Sequence, residues 1–215
     1  MIEKGATLSH QLLWSQYVEL IPLDNVDSIN YYIYKSIKNN LTVRELRTLI
    51  KSKEYERLSI EAKNKIITKE KINLKDTIPN PVIIKNKNNL EIINEKVLHE
   101  LILENVCVFI KELGNGFSFV DSEYKIKIGN RYNYIDFLLF NYEFNCFVVV
   151  ELKVTELKKE HIGQVEIYMN YIDANLRKIN QEKTIGIIIC KKDNKYVLEY
   201  CSDKRILSRK YELIS

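Results

Sequence analysis

The chain contains 215 residues, of which 46% are hydrophobic and 29% are charged, and its formal net charge at pH 7 is +4. This composition excludes wholesale disorder, and the six Gly and three Pro exclude collagen-like and Pro-rich repeat proteins. No apolar run reaches the roughly 20 residues of a membrane span, and the N-terminus lacks the pattern of a secretion signal. We therefore expect a soluble, cytoplasmic protein.

Charge and cysteine content exclude further classes of protein. Residues 1–80 carry 13 basic and 10 acidic side chains and residues 81–215 carry 20 and 19, so neither part binds nucleic acid through bulk charge alone. The four cysteines are far apart without a Cys-x-x-Cys pair, and Cys107, Cys146 and Cys190 lie in apolar runs. We expect buried or free thiols rather than disulfides or zinc ligands, and the scattered histidines do not predict a metal site.

The N-terminal part of the chain has the pattern of short helices. Residues 8–20 place apolar groups at helical spacing, with Ser9 as the candidate N-cap. A second helix is predicted to begin after Asp24 or Asp27 and to end near Asn39.

A third helix is predicted to begin at Thr42, because Thr42 and Glu45 form the capping-box pattern. Its outward face carries Arg44 and Arg47, so the three helices have a helix-turn-helix-like character that would suit nucleic-acid binding. The alternative is a small helical domain whose basic residues are simply solvated.

The boundary between two domains is expected near residue 80. Residues 59–80 are charged and irregular, and Pro79 and Pro81 interrupt the chain. The expected domains are therefore residues 1–80 and residues 81–215.

The second domain has the pattern of a mixed α/β fold. Glycines at 114 and 116 end its first helix, and Gly129-Asn130 predicts a hairpin turn. The order is helix, three strands, helix and two strands (αβββαββ). The predicted elements are a helix at 94–113, a short strand or turn at 117–120, strands at 124–128, 132–140 and 146–154, a helix at 158–178, and strands at 184–190 and 196–200.

Three charged residues interrupt otherwise apolar strands of this domain. Asp136 lies in an aromatic and aliphatic run, and Glu151 and Lys153 follow three valines on one face of the next strand. Burying an unpaired carboxylate is costly, and a divalent cation would offset that cost because Mg²⁺ prefers oxygen ligands. Asp136 and Glu151 could hold such an ion, and Lys153 could stabilise charge that develops on a phosphate.

An alternative reading needs no metal ion. Glu151 and Lys153 could form a surface ion pair worth less than about 1 kcal/mol, and Asp136 could accept backbone hydrogen bonds near a turn. The placement of the acid inside an aromatic strand favours the metal site.

The helix that follows these strands carries Gln164 and Tyr168, four residues apart on one face. Gln164 could bind a phosphate or a water molecule, and Tyr168 could support the lysine or a backbone phosphate. The alternative is a polar–aromatic pair that packs on the sheet.

Together, Asp136, Glu151-Leu152-Lys153 and Gln164-x-x-x-Tyr168 resemble the PD-(D/E)xK nuclease superfamily in its Gln-x-x-x-Tyr form. More narrowly, the chain is similar to the YhcG-type nuclease family. The similar stretches are residues 111–120, 128–142, 146–169 and 184–200, together with 12–23 and 41–58 in the family's helical N-terminal domain.

The resemblance implies a restriction-endonuclease-like core, a mixed central sheet flanked by helices, after a small all-helical N-terminal domain. It also implies a Mg²⁺ or Mn²⁺ site at Asp136 and Glu151, with Lys153 as the catalytic lysine. Family members are expected to carry more helical sequence upstream than this chain does.

An acid from the first core helix often completes the metal site in this superfamily. Glu95 aligns with such an acid, but His99 stands where a second Glu is expected. Glu100 and Glu104 lie nearby and are alternative ligands.

Two functions from different classes remain open. The first is a divalent-metal nuclease that cuts DNA, which the retention of Asp136, Glu151 and Lys153 together favours. The second is a nuclease-like module that binds nucleic acid or a protein partner without cutting, which the short start and the unassigned helix acid favour. A homodimer is compatible with either. The candidate phosphate contacts, each of which could instead be solvated surface charge, are Arg131, Lys158, Lys159, Arg44 and Arg47.

Overall fold

A computed structural model describes residues 12–68 and 70–215. The chain forms two compact units that divide between Ile72 and Asn73, rather than near residue 80. The difference arises because Leu74 and Ile78 are buried in the core of the second unit, where Arg209 Nε also donates a 3.0 Å hydrogen bond to the Ile78 carbonyl.

In its described residues, the first unit contains helices and no strand, as expected. Its second helix is capped by Asn25, which accepts from the backbone N–H groups of Asp27 and Ser28, rather than by Asp24 or Asp27. The predicted cap Ser9 lies outside the described residues. The helices are α1 (Trp14–Leu20), α2 (Val26–Asn39), α3 (Val43–Lys51), α4 (Glu54–Arg57) and α5 (Ile60–Thr68).

The start of α3 confirms the predicted capping box. The backbone N–H of Glu45 donates to Thr42 Oγ1 at 3.3 Å, and the Thr42 N–H donates to Glu45 Oε2 at 2.9 Å. Leu46 on this helix is fully buried in the core of the unit. The expectation of irregular chain after residue 59 was wrong, since the fully buried Ala62 fixes α5 against that core.

The second unit is a six-stranded mixed sheet with helices on both faces, which confirms the predicted fold class. The strand order is β1-β6-β5-β4-β3-β2; β2, β3 and β4 pair antiparallel, and β4, β5, β6 and β1 pair parallel. The elements are α6 (Leu74–Thr77), β1 (Val82–Lys85), α7 (Glu95–Glu104), α8 (Val106–Leu113), β2 (Phe117–Ile128), β3 (Arg131–Asn141), β4 (Cys146–Glu156), α9 (Lys159–Asn175), β5 (Ile185–Lys192), α10 (Lys195–Glu199) and β6 (Ile206–Ile214).

The apolar core of this unit lies on both faces of the sheet. Val148, Val150 and Leu152 of β4 pack with the buried residues of α7 and α8. The intervening Val149 packs with those of α9 instead. The three valines before Glu151 therefore place that acid in the middle of β4, directly after a segment that is buried on both faces.

Three predicted elements differ from the structure. The single helix predicted at 94–113 is two helices, because Asn105 leaves the helical conformation (φ −130°, ψ 35°). The strand predicted at 196–200 is α10, which Asn194 caps, and the last strand is β6. The strands predicted at 117–120 and 124–128 are one strand, β2, with a bulge between Phe119 and Asp121.

All four cysteines are free thiols, and Cys146 and Cys190 are buried as expected. Cys107 is exposed instead, since the helix break turns the first residues of α8 toward solvent. No helix in the described part of the chain is both long enough and apolar enough to cross a membrane.

The packing of α9 on the sheet depends on Gly186 of β5. A Cβ atom at this position would lie 2.7 Å from Met169 Sδ and even closer to a methyl group of Val165. We expect Gly186→Ala to destabilise the second unit by about 1–3 kcal/mol, measured by chemical denaturation.

Gly163 provides the matched control for this substitution. It lies on α9, and a Cβ atom there would meet no atom within 4 Å. We expect Gly163→Ala to raise stability by about 0.5–1 kcal/mol through helix propensity. Equal effects of the two substitutions would contradict the packing argument.

Candidate active site

The candidate site lies where β3 and β4 separate. Their antiparallel pairing ends at Phe137 opposite Val150, and the next residues of the two strands are Asp136 and Glu151. From there β3 continues alongside β2, while β4 continues alongside β5 as far as Glu156, with an irregularity after Lys153. The two carboxylates therefore lie at a fork in the sheet, where the backbones no longer bond to each other.

Asp136 is held from two sides. Its Oδ2 accepts the backbone N–H of Leu152 at 2.7 Å, which replaces the hydrogen bond that the strand pairing no longer supplies. Its carbonyl oxygen lies 3.2 Å from Nε2 of His99, whose ring stacks on Phe137. Burial raises the pKa of Asp136 despite the opposing effects of the Leu152 N–H and Lys153.

Glu151 carries an unsatisfied buried oxygen. The residue is 3% exposed, and its Oε1 accepts a 2.8 Å hydrogen bond from Lys153 Nζ. Its Oε2 is buried and has no hydrogen-bond partner among the residues that the structure describes. Burial, followed by the nearby charge of Asp136, raises the pKa of Glu151 to about 7. The buried Glu151 carboxylate, with its unpartnered oxygen, and the half-buried Asp136 carboxylate form a site that favours a cation.

Lys153 lies between two acids. Its Nζ is 2.8 Å from Glu151 Oε1 and 3.7 Å from Glu95 Oε2, and its side chain is 12% exposed. Burial alone would lower the pKa of Lys153, but the charges of Glu151, Glu95 and Asp136 outweigh burial and raise it. The side chain therefore remains an ammonium at neutral pH.

Gln164 and Tyr168 lie one turn apart on α9, and Gln164 Nε2 donates a 2.8 Å hydrogen bond to the Tyr168 hydroxyl oxygen. Burial, supported by the charges of Glu151 and Asp136, raises the pKa of Tyr168 despite the hydrogen bond from Gln164, so the phenol stays neutral. The two side chains line an open cleft of ≈ 390 Å³, together with Arg131 and Asn133 of the β2–β3 hairpin.

Of the three alternative helix acids, Glu95 is the one that contacts the site, through Lys153. Glu100 is exposed and lies 4.0 Å from Lys96, and Glu104 is exposed at the end of α7, about 14 Å along the helix from Glu95. Within residues 12–68 and 70–215, no three His, Cys, Asp or Glu side chains are grouped to hold a metal ion. The described residues thus bring two carboxylates together beside Lys153, those of Asp136 and Glu151.

The candidate phosphate contacts fall into two sets. Arg131 lines the cleft, and Lys158 and Lys159 are exposed at the start of α9. Arg44 is exposed on α3 of the first unit, whereas Arg47 is engaged in a two-point ion pair with Glu19 (Nη2–Oε1 2.6 Å, Nε–Oε2 3.0 Å). Arg47 would have to break this pair in order to bind a phosphate.

Two histidines near the site were not predicted to belong to it. His99 contacts the Asp136 carbonyl, and His161 Nδ1 accepts the backbone N–H of Lys158 at 3.2 Å. Burial and then the charge of Lys153 lower the pKa of His161. The sequence signal for His161 was its position in the first turn of the helix that follows Glu-x-Lys.

Comparison with known proteins agrees with this geometry. Residues 75–214 match the model of the YhcG PDDEXK nuclease domain, and residues 2–57 match the DUF1016 N-terminal domain. The chain is 24% identical over 182 residues to a protein of Escherichia coli (strain K12) named "Putative nuclease YhcG". The match covers 82% of this chain and 48% of that protein, so the chain spans about half the length of its relative.

Two solved structures are also similar. A repair endonuclease from Pyrococcus abyssi is 17% identical with a TM-score of 0.38, and the match covers 59% of this chain and 49% of that chain. An EndoMS–dsDNA complex is 20% identical with a TM-score of 0.39, and the match covers 60% of this chain and 49% of that chain.

Proposed function

Since the chain belongs to the YhcG PDDEXK nuclease family, we propose that it is a divalent-metal-dependent nuclease that hydrolyses phosphodiester bonds of DNA. The observation that carries the proposal is the buried, unpaired Oε2 of Glu151 beside the carboxylate of Asp136. A fold without a ligand for these groups would gain stability by losing one of the charges.

Asp136 and Glu151 are the residues that would hold Mg²⁺ or Mn²⁺. Both ions prefer carboxylate oxygens, and Mg²⁺ typically binds one or two carboxylates together with substrate phosphates. One carboxylate oxygen of Asp136 accepts the Leu152 N–H, and one of Glu151 accepts a hydrogen bond from Lys153. The other oxygen of each carboxylate would be available to bind the ion. A bound ion supplies Lewis-acid polarisation of a phosphoryl oxygen.

Lys153 would stabilise the negative charge that develops on the phosphate during hydrolysis. Its ammonium is fixed by Glu151 and Glu95 before substrate arrives, so little reorganisation is needed in the transition state. The raised pKa of Lys153 keeps the positive charge throughout the neutral range.

Gln164, Tyr168 and Arg131 would position the scissile strand. They line one cleft, and each offers a hydrogen-bond donor that a phosphate oxygen can accept. The hydrogen bond between Gln164 and Tyr168 fixes both side chains on the buried face of α9.

The test uses the full chain with labelled linear, nicked, branched and single-stranded DNA in Mg²⁺ or Mn²⁺. We expect cleavage of at least one substrate that EDTA abolishes and that Asp136→Asn lacks. Asp121→Asn, the same change at an exposed acid of β2, should cut like the parent. DNA binding without cleavage by all three proteins would overturn the proposal in favour of a binding module.

A further inference from the structure

The β2–β3 hairpin extends past the fork as an arm, defined here as residues 124–135. Pairing of β2 with β3 continues from Tyr124 opposite Ile135 to Ile128 opposite Arg131, beyond the point at which β4 leaves. The five residues of β3 in the arm span about 17 Å at the usual strand rise.

The two faces of the arm differ in burial. Ile126 and Ile135 are buried against the core that α9 completes, at 1% and 0% exposure. The opposite face is open, because Tyr132 is 57% exposed, Tyr134 is 52% exposed, and the lysines paired with them are exposed as well. Lys127 lies opposite Tyr132, and Lys125 lies opposite Tyr134.

The charged side chains of the arm are all positive. Its twelve residues contain no acidic side chain and three basic ones: Lys125 and Lys127 on the open face, and Arg131 on the α9 side, where it lines the cleft. The whole chain of 215 residues has a net charge of only +4. A positive local field of this kind attracts a polyanion rather than an apolar or cationic partner.

The aromatic rings of the open face are arranged for stacking. Tyr132 and Tyr134 are two residues apart on one strand, so they share a face at a spacing of about 7 Å. Lys125 Nζ lies 4.0 Å and Lys127 Nζ 6.0 Å from the centroid of the Tyr132 ring, which restricts the ring while it stays largely exposed. Exposed aromatic rings interleaved with cations bind unpaired bases and the phosphates between them.

The arm leads directly to the candidate site. Asp136 follows Ile135 on the same strand and lies two residues beyond Tyr134. From these observations we infer that the open face of the arm binds a single-stranded segment of the DNA substrate. The bases stack on Tyr132 and Tyr134, and Lys125 and Lys127 contact phosphates. The inference rests on the proposed nuclease function and specifies its substrate as DNA with an unpaired segment next to the cut.

The test measures binding by fluorescence anisotropy in EDTA, so that no strand is cut. The probes are a labelled single-stranded oligonucleotide and the same sequence as a duplex. We expect Tyr132→Ala combined with Tyr134→Ala to weaken single-strand binding at least about 10-fold, with a much smaller effect on the duplex. Tyr132→Phe combined with Tyr134→Phe should bind like the parent, because the rings remain.

Tyr196→Ala combined with Tyr200→Ala is the matched control. These tyrosines are 75% and 84% exposed on and beside α10 and should not affect binding. Lys125→Ala combined with Lys127→Ala should reduce the slope of log affinity against log salt by about 1.4, the value for two phosphates of a single strand. Circular dichroism verifies that each variant is folded.

The outcomes separate this inference from the proposed function. If the variant with both tyrosines replaced by alanine loses strand binding but the parent does not cleave, the arm binds single strands and the nuclease proposal is refuted. Unchanged strand binding by a folded alanine pair, with cleavage intact, overturns the inference alone. An alanine pair that binds strands normally but changes from dimer to monomer would also overturn it, since the face would then bind a second copy of the chain.

Discussion

Replacing Glu151 by glutamine is expected to abolish metal binding and cleavage while making the metal-free protein more stable. The substitution removes a buried charge whose Oε2 lacks a partner and which lies near the carboxylate of Asp136. We expect a gain of about 1–2 kcal/mol, or an increase in Tm of about 2–8 °C, in EDTA. Mn²⁺ binding, followed by calorimetry, should disappear.

The gain in stability should depend on pH. The pKa of Glu151 in the folded protein is about 7, above its ordinary value of 4.5, so the folded state binds this proton more tightly. The stability that protonation contributes is complete below pH 4.5 and is lost as the pH rises through 7. The Tm difference between Glu151→Gln and the parent should therefore be largest above pH 7 and should shrink as the pH falls.

Glu156→Gln provides the control for this prediction. Glu156 lies on the same strand, where it accepts hydrogen bonds from Lys192 and Asn194 at the surface. Its substitution should not increase stability or alter Mn²⁺ binding. A Glu151→Gln protein that is less stable than the parent in EDTA would contradict the assignment of Glu151 as a destabilised metal ligand.

Replacing Lys153 by methionine is expected to reduce cleavage without loss of metal binding. Cleavage should fall by about 10²–10³-fold, the usual effect of removing one group that stabilises transition-state charge. Metal affinity should be retained or increased, because the ammonium 2.8 Å from Glu151 competes with a cation for the same carboxylate. Single-turnover cleavage and Mn²⁺ titration, performed on the same preparation, measure the two effects.

Lys192→Met on the neighbouring strand β5 is the matched control for this substitution. Its side chain is 71% exposed in an ion pair with Glu156, and the variant should cut at the parental rate. If Lys153→Met cut as fast as the parent, Lys153 would be a structural partner of Glu151 and not part of the catalytic machinery.

Much of the second unit could be predicted from local patterns. Strands β3 and β4 and helix α9 are long, and their periodicity or apolar runs distinguish them clearly. The segment at 196–200 is too short for such a distinction, and Asn194 decides in favour of a helix by capping it. Strands β1 and β6 were missed because each gains its stability from parallel pairing with a distant segment.

The candidate site could be predicted only in part. Charged residues inside apolar strands indicated Asp136, Glu151 and Lys153, since burial of charge needs a reason. The choice of Glu95 over Glu100 depends on how α7 is rotated against the sheet, and the pattern of a single helix does not specify that rotation. The bond from Leu152 N–H to Asp136 likewise arises from the separation of two strands, which is a tertiary feature.

Because of the fork in the sheet, Asp136 and Glu151 should be under different selection within this family. Asp136 substitutes for a missing backbone partner of Leu152, so selection for folding alone would retain it in a copy that no longer cuts. Glu151 is expected to reduce the stability of the metal-free fold, so selection for the proposed bound ion is what would oppose its loss. Among divergent family members, the residue at position 151 should therefore distinguish proteins that cleave DNA from proteins that have lost cleavage.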